Sequence, residues 1–185
     1  MAHTGSIYSG RHPGPLLESM ERLIRNGKLD PKGFLLQLIG PIAWELIPDR
    51  ELLTRLMDMG CVDATGAVLP HAQARQAMCE ADYLLLLDVI ISGGGQQLPS
   101  KVFEYIPIGR PILAITSRNS PADRLLAGSG VPYACIYRDS TAEQADRAVL
   151  EVLSRPSDPA PPSEWFLANF DAVHRTRALA SLIDG

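Results

Sequence analysis

The sequence predicts an α/β fold, a Rossmann-like, doubly wound parallel sheet of six strands. Three observations carry that expectation. Short apolar runs of strand length alternate along the chain with amphipathic helical stripes, the pattern of repeated strand–helix units. Two of the runs, Tyr83-Leu-Leu-Leu-Leu-Asp88 and Pro111-Ile-Leu-Ala-Ile-Thr116, are apolar at nearly every position, as strands covered on both faces must be. The two most glycine-rich loops, Gly10–Gly14 and Ile91–Pro99, each join a strand to a helix. In the common strand order 3-2-1-4-5-6 they follow strands one and four, so they meet where the order reverses and a crevice opens.

The elements follow in order. Gly5-Ser-Ile-Tyr-Ser9 reads as the first strand, and Gly10-Arg-His-Pro-Gly14 turns it into a helix whose first position suits Pro15. Leu16, Leu17, Met20, Leu23 and Ile24 form one stripe of that helix, with Glu18–Arg22 and Glu21–Arg25 paired on the other side. Phe34–Ile39 is a second buried strand. Pro48–Met59 is helical, with Leu52, Leu53 and Leu56 inward and Gly60 just past its end. Cys61–Val68 is the third strand, interrupted by Gly66, and Ala72–Glu80 a helix with Ala74, Ala77 and Met78 on one face. After the fourth strand, Tyr83–Asp88, Ser100 reads as the N-cap of a short helix that Pro107 and Gly109 end. Beyond the fifth strand, Ser120-Pro-Ala-Asp123 caps a helix ending near Gly128. Val131–Tyr137 is the sixth strand, and Ser140-Thr-Ala-Glu143 caps a helix with Ala145, Ala148, Val149 and Val152 inward. The expected organisation is a domain over 1–155 and a stiff proline connector over 156–162. A single C-terminal helix over 163–185, running from Ser163 to about Ile183, packs back on the domain through Trp165, Phe166 and Phe170.

At 185 residues, 46% of them hydrophobic, the chain can bury a real core. A net charge of −4 gives no general attraction to nucleic acid. Cys61, Cys79 and Cys135 show no metal-ligand spacing, and reduced thiols in a cytoplasmic protein are the expectation. No apolar run approaches the roughly 18 residues of a membrane span.

The chemistry concentrates between strands four and five. Gly93, Gly94 and Gly95 leave backbone N–H groups bare, the geometry of an anion-binding nest. Ser100 and Lys101 then open a helix, whose start welcomes a phosphate. Glu104 lies three residues past Lys101, on the same face, where a carboxylate can accept hydrogen bonds from a ribose diol. The same residues also suit an ordinary strand–loop–helix unit with Lys101 and Glu104 as a solvated pair, and the residues alone leave both readings open.

The contiguous stretch Pro99-Ser-Lys-Val-Phe-Glu-Tyr-Ile-Pro-Ile-Gly-Arg-Pro-Ile-Leu-Ala-Ile115 resembles the donor-site segment of group 1, family 4-type glycosyltransferases of the GT-B fold. In many of these the segment reads Pro-Ser-Lys, two residues, Glu-Tyr, then Gly-Arg/Lys-Pro and an apolar strand. The resemblance covers roughly residues 4 to 155 and makes this chain the donor-binding half of such an enzyme. It implies that Glu104 binds the ribose of a nucleotide sugar and that Ser100 and Lys101 meet the diphosphate. Arg11, with Gly10 before it, would neutralise the leaving diphosphate, so Arg11 and Lys101 are the catalytic candidates. Gly94, Gly95 and Gln96 would line the donor pocket, and Gly66-Ala-Val-Leu-Pro-His71 would approach the nucleobase. A capping or surface role suits His71 equally well.

Two departures stand out. The loop His12-Pro-Gly-Pro15 has no lysine after the arginine, and Gln96 stands where many members carry a first glutamate, leaving retention or inversion open. The implied reaction is metal-independent and cofactor-free transfer of a hexosyl group from a nucleoside diphosphate sugar to a sugar or lipid-linked acceptor, in cell-envelope polysaccharide synthesis. The acceptor site would come from an N-terminal domain or a partner subunit, since the first strand begins at the start of this sequence. Peripheral membrane association is expected of the full enzyme. A UDP-sugar 2-epimerase-like domain and a non-catalytic nucleotide-binding regulatory domain of flavodoxin-like type are the alternatives. A receiver-like module would want aspartates at the ends of strands one and three, where Tyr8-Ser9-Gly10 and Val68-Leu69-Pro70 supply none.

Overall fold

A computed structural model of the chain describes residues 1–8, 10–89, 98–171, 175–176 and 179–181. Six strands, β1 (Ala2–Thr4), β2 (Leu36–Ile39), β3 (Val62–Asp63), β4 (Leu84–Leu87), β5 (Ile112–Thr116) and β6 (Tyr133–Tyr137), form one sheet. Its order is β3-β2-β1-β4-β5-β6, and every neighbouring pair is parallel. This is the expected Rossmann-like winding, with its reversal between β1 and β4.

Helices cover both faces. The helices α1 (Gly14–Arg25), α2 (Arg50–Asp58) and α6 (Ala142–Leu153) bury Leu16, Met20, Leu53, Leu56 and Val149 against one face, which contributes Leu85, Leu87 and Leu113. On the other, α3 (His71–Glu80), α4 (Val102–Ile108), α5 (Pro121–Gly128) and α7 (Glu164–Phe170) bury Met78, Tyr105, Ile106, Leu126 and Phe166 against Leu84, Leu86 and Ile112. The alternation of β4 and β5 between the two clusters explains why their sequences are apolar throughout. A single turn of tighter helix, Trp44–Leu46, precedes α2.

Several boundaries differ from expectation, each for an identifiable reason. The first strand is Ala2–Thr4 rather than Gly5–Ser9, because Ala2 N–H donates to the Tyr83 carbonyl and Met1 O accepts from Gln37 at the strand's very start. Gly5, with φ +143, ends it, and the chain continues as isolated bridges, Ile7 to Ile42 and Tyr8 to Arg11. The third strand is only Val62–Asp63 and does not reach Val68. The Asp63 carboxylate accepts the Thr65 N–H, and Gly66 at φ +70 completes the turn. Pro107 lies inside α4, and the helix ends at Gly109, whose left-handed φ of +79 no bulky residue adopts cheaply. The long C-terminal helix is divided, since α7 stops at Phe170 and Asp171 is extended. Ser163 caps α7 while its hydroxyl donates to the Gly128 carbonyl, and Trp165 seats its ring on Gly128.

Candidate functional site

The loop after β1 and the end of β4 are tied together by Arg11. Gly10 takes a left-handed φ of +76, and the Tyr8 and Arg11 backbones exchange hydrogen bonds of 3.1 and 2.8 Å across the turn. That turn delivers the Arg11 side chain to β4, where Nε donates to the Leu87 carbonyl at 3.1 Å. The guanidinium also lies 5.6 Å from the centre of the Tyr8 ring. One donor is thus spent on the scaffold, and the two terminal amino groups hold the remaining N–H donors of the guanidinium.

Lys101 and Glu104 meet as the spacing predicts. Lys101 Nζ lies 2.9 and 3.0 Å from the two Glu104 carboxylate oxygens, and both side chains are partly buried. His71, the first residue of α3, brings Nε2 to 4.0 Å from the same carboxylate while remaining largely exposed. Glu104 and His71 form the upper end of a cleft of about 450 Å³ between α3 and α4. Met78 lies along it, Phe103 forms a wall, and Arg75 and Arg110 stand further down.

The start of α4 differs from expectation. Lys101, not Ser100, occupies the capping position, in right-handed helical conformation and with no side-chain cap. The N–H groups of Val102, Phe103 and Glu104 bond back to the Pro99, Ser100 and Lys101 carbonyls. Those donors are therefore satisfied within the chain. Among the first residues of the turn, Ser100 and Lys101 keep backbone N–H groups that bond to none of the described residues. Gly94, Gly95 and Gln96 lie outside the described residues.

Beneath these groups lie side chains that the sequence reading did not single out. His3 on β1 is 3% exposed, and its Nδ1–H donates to the Leu85 carbonyl at 2.9 Å. Its Nε2 finds no partner among the described residues. Burial holds its pKa down at about 4 despite that hydrogen bond, and the charges of Arg11 and Lys101 push the same way. Both cations of the site therefore sit near one buried ring. Tyr105, wholly buried on α4, accepts the Thr4 N–H at 3.1 Å through its hydroxyl, stitching α4 to β1. At the end of β4, Asp88 is buried too, joined through Thr116 to Ser120, the N-cap of α5. A charged residue closing a run of leucines was the one signal in the sequence that pointed there. His3, in a three-residue strand, gave none.

No protein-family model matches the chain, and no curated protein does either. Solved structures do. The chain superposes on HepE from Anabaena in complex with UDP with a TM-score of 0.64 at 14% identity, over 99% of this chain and 48% of that one. The same protein in complex with UDP and glucose gives 0.56 at 12% identity, over 99% and 47%. The pneumococcal O-GlcNAc transferase GtfA in complex with UDP and GlcNAc gives 0.52 at 13% identity, over 98% and 31%. The fold is therefore that of half or less of these larger chains, a six-stranded Rossmann-like unit.

Proposed function

We propose that this chain binds a nucleotide sugar at the crevice between β1 and β4, as the donor-binding half of a glycosyltransferase. The observation that carries the reading is the convergence of Arg11, Lys101 and Glu104 at the reversal of strand order, where open α/β sheets bind their ligands. The Arg11 amino groups and the Lys101 ammonium would take the diphosphate, with the Ser100 and Lys101 N–H groups beside them. Glu104 would yield part of its contact with Lys101 to accept the ribose hydroxyls, and the base would lie against His71. Gly94, Gly95 and Gln96 are proposed to close the pocket, with Gln96 hydrogen-bonding the sugar.

As the sugar leaves, charge grows on the diphosphate. Arg11 and Lys101, fixed before reaction, then stabilise the transition state more than the ground state without metal. The similar structures, solved in complex with UDP and glucose or with UDP and GlcNAc, make UDP the first ligand to try. The acceptor and any base are assigned to a second domain or a partner subunit, consistent with a chain that spans 48% of HepE.

The test is calorimetry with UDP, GDP, ADP and dTDP on the wild type and Glu104→Ala. One nucleotide binds, and the substitution weakens it by about 1–3 kcal/mol, the range for hydrogen bonds to a charged group. Unchanged affinity with an unchanged melting temperature removes Glu104 from the site and the reading with it.

A further inference from the structure

The cleft between α3 and α4, with Glu104 and His71 at its upper end, encloses about 450 Å³, within the usual range of small-molecule sites. Its floor includes Met78, 1% exposed, whose sulfur accepts the Thr4 hydroxyl at 3.1 Å. Phe103, next to Glu104 in the chain, forms a wall and is 37% exposed. The Phe103 ring is backed by Phe170 at 5.5 Å between centres, and Phe170 rests in turn on Trp165 and Phe166 at 5.5 and 5.4 Å. An aromatic wall fixed in this way can take the flat face of a base, a contact that every base offers. Arg75 supplies the polar side. It follows His71 by one helical turn on α3, about 6 Å further along the cleft. Among the described residues Arg75 makes no hydrogen bond or ion pair, so the N–H donors of its guanidinium are open. Arg110, the other arginine of the cleft, has a donor from each terminal amino group spent on the Ser157 and Cys79 carbonyls. Glu104 is the one carboxylate among the described lining residues, so no described acidic residue lines the cleft beside Arg75.

We infer that the nucleobase enters this cleft against Phe103 and that Arg75 selects which base is bound. With the ribose on Glu104, a base that continues along the cleft turns its outer edge towards Arg75. A guanidinium only donates, so that edge must carry an acceptor. Uracil, thymine and guanine present a carbonyl oxygen there, whereas cytosine and adenine present an amino group, itself a donor. An amino group facing Arg75 leaves donors on both sides without partners as the cleft loses its water. Such a mismatch discriminates far more sharply than a missing methylene does. The substrate class is therefore a uridine, thymidine or guanosine diphosphate sugar. This inference rests on the nucleotide-sugar reading and adds to it the choice of base.

The experiment is calorimetry at neutral pH with UDP and CDP, and with GDP and ADP, on the wild type, Arg75→Leu and Arg75→Lys. UDP and CDP share phosphates and ribose and differ by a carbonyl oxygen against an amino group, so the ratio of their affinities isolates that edge of the base. For whichever pair the cleft admits, the wild type should bind the carbonyl member about tenfold or more tighter. Arg75→Leu should bring that ratio to within about twofold of one, by weakening the carbonyl base and sparing the amino base. Arg75→Lys keeps the charge but loses the fork of donors, and should retain only part of the preference. A wild type that binds both members of a pair alike, or an Arg75→Leu ratio equal to that of the wild type, overturns the inference and leaves the nucleotide reading standing. Equal losses for both bases would make Arg75 a point charge on the phosphates, which overturns it as well. If no nucleotide binds the wild type, both readings fall together. Should Arg75→Leu fail to fold, the wild-type ratio and Arg75→Lys decide.

Discussion

The most exposed consequence of this fold is its acid limb. His3 must be neutral to stay buried, with its pKa at about 4 against 6.5 in the unfolded chain. A group whose folded pKa is depressed supports folding fully above its unfolded value and ceases to as pH falls through the window between the two. The unfolded chain binds the extra proton first, so stability is lost between about pH 6.5 and pH 4. The full difference corresponds to roughly 3 kcal/mol, of which roughly 2–3 kcal/mol should be lost between pH 7 and pH 4.5.

For a chain of this size that is a fall of about 5–10 °C in melting temperature. The perturbation is His3→Asn, which can still donate to the Leu85 carbonyl but takes up no proton. Urea unfolding at about pH 7 and about pH 4.5 gives two stabilities for each protein. His3→Asn should be less stable at neutral pH, because a smaller side chain leaves a gap under the loop, yet it should lose less on acidification by about the amount above. If both proteins lose the same amount, the ring is not the group that charges, and its assignment as a neutral buried imidazole is wrong.

Other expectations concern close contacts and sugar transfer. Gly40→Ala should cost about 2 kcal/mol or more, because its φ is +128 and an added Cβ would lie 2.5 Å from the Gly5 carbonyl oxygen. Thermal unfolding decides it, and a neutral substitution would mean that β1 and β2 can separate at their ends. Arg22→Ala should cost about 1–2 kcal/mol, since its guanidinium reaches Asp146 at 2.7 Å and joins α1 to α6 beside the Ser19 hydroxyl. Chemical denaturation measures this, and no change would mark the pair as surface decoration. The isolated chain should transfer no sugar, because positioning donor against acceptor supplies on the order of 7–11 kcal/mol in the best cases. Turnover with radiolabelled donor and a lipid or sugar acceptor, above slow hydrolysis, would contradict this.

The sheet was legible because its signals are local and redundant. β4 and β5 are apolar at nearly every position, and Ser120 and Ser163 cap their helices as their sequence context suggests. Boundaries set by tertiary contact were not legible. Nothing in Met1-Ala-His-Thr announces a strand, since its hydrogen bonds go to Tyr83 and Gln37, distant in sequence. Pro107 looks like a stop, but α4 is so short that the helix already ends two residues later at Gly109. In the site, the Lys101–Glu104 pair follows from helical spacing. The Arg11 anchor on Leu87 and the Asp88–Thr116–Ser120 chain join segments that only the finished sheet brings together.

The proline connector has a practical consequence for anyone dividing this chain. Ala160 N–H donates to the Gly109 carbonyl at 2.9 Å, and Arg110 donates to the carbonyls of Ser157 and Cys79. Ser163 N–H donates to the Ser129 carbonyl at 2.7 Å. A stretch whose sequence looks like a hinge is therefore a clasp, fastened at both ends to the body it seems to leave. Cutting it near residue 155 would strip Phe166 from its socket, uncover the faces of Phe103 and Gly128, and deprive Arg110 of a partner. An expression boundary drawn there should yield an aggregating fragment, and a protease offered the intact chain should find the connector a poor substrate despite its exposure.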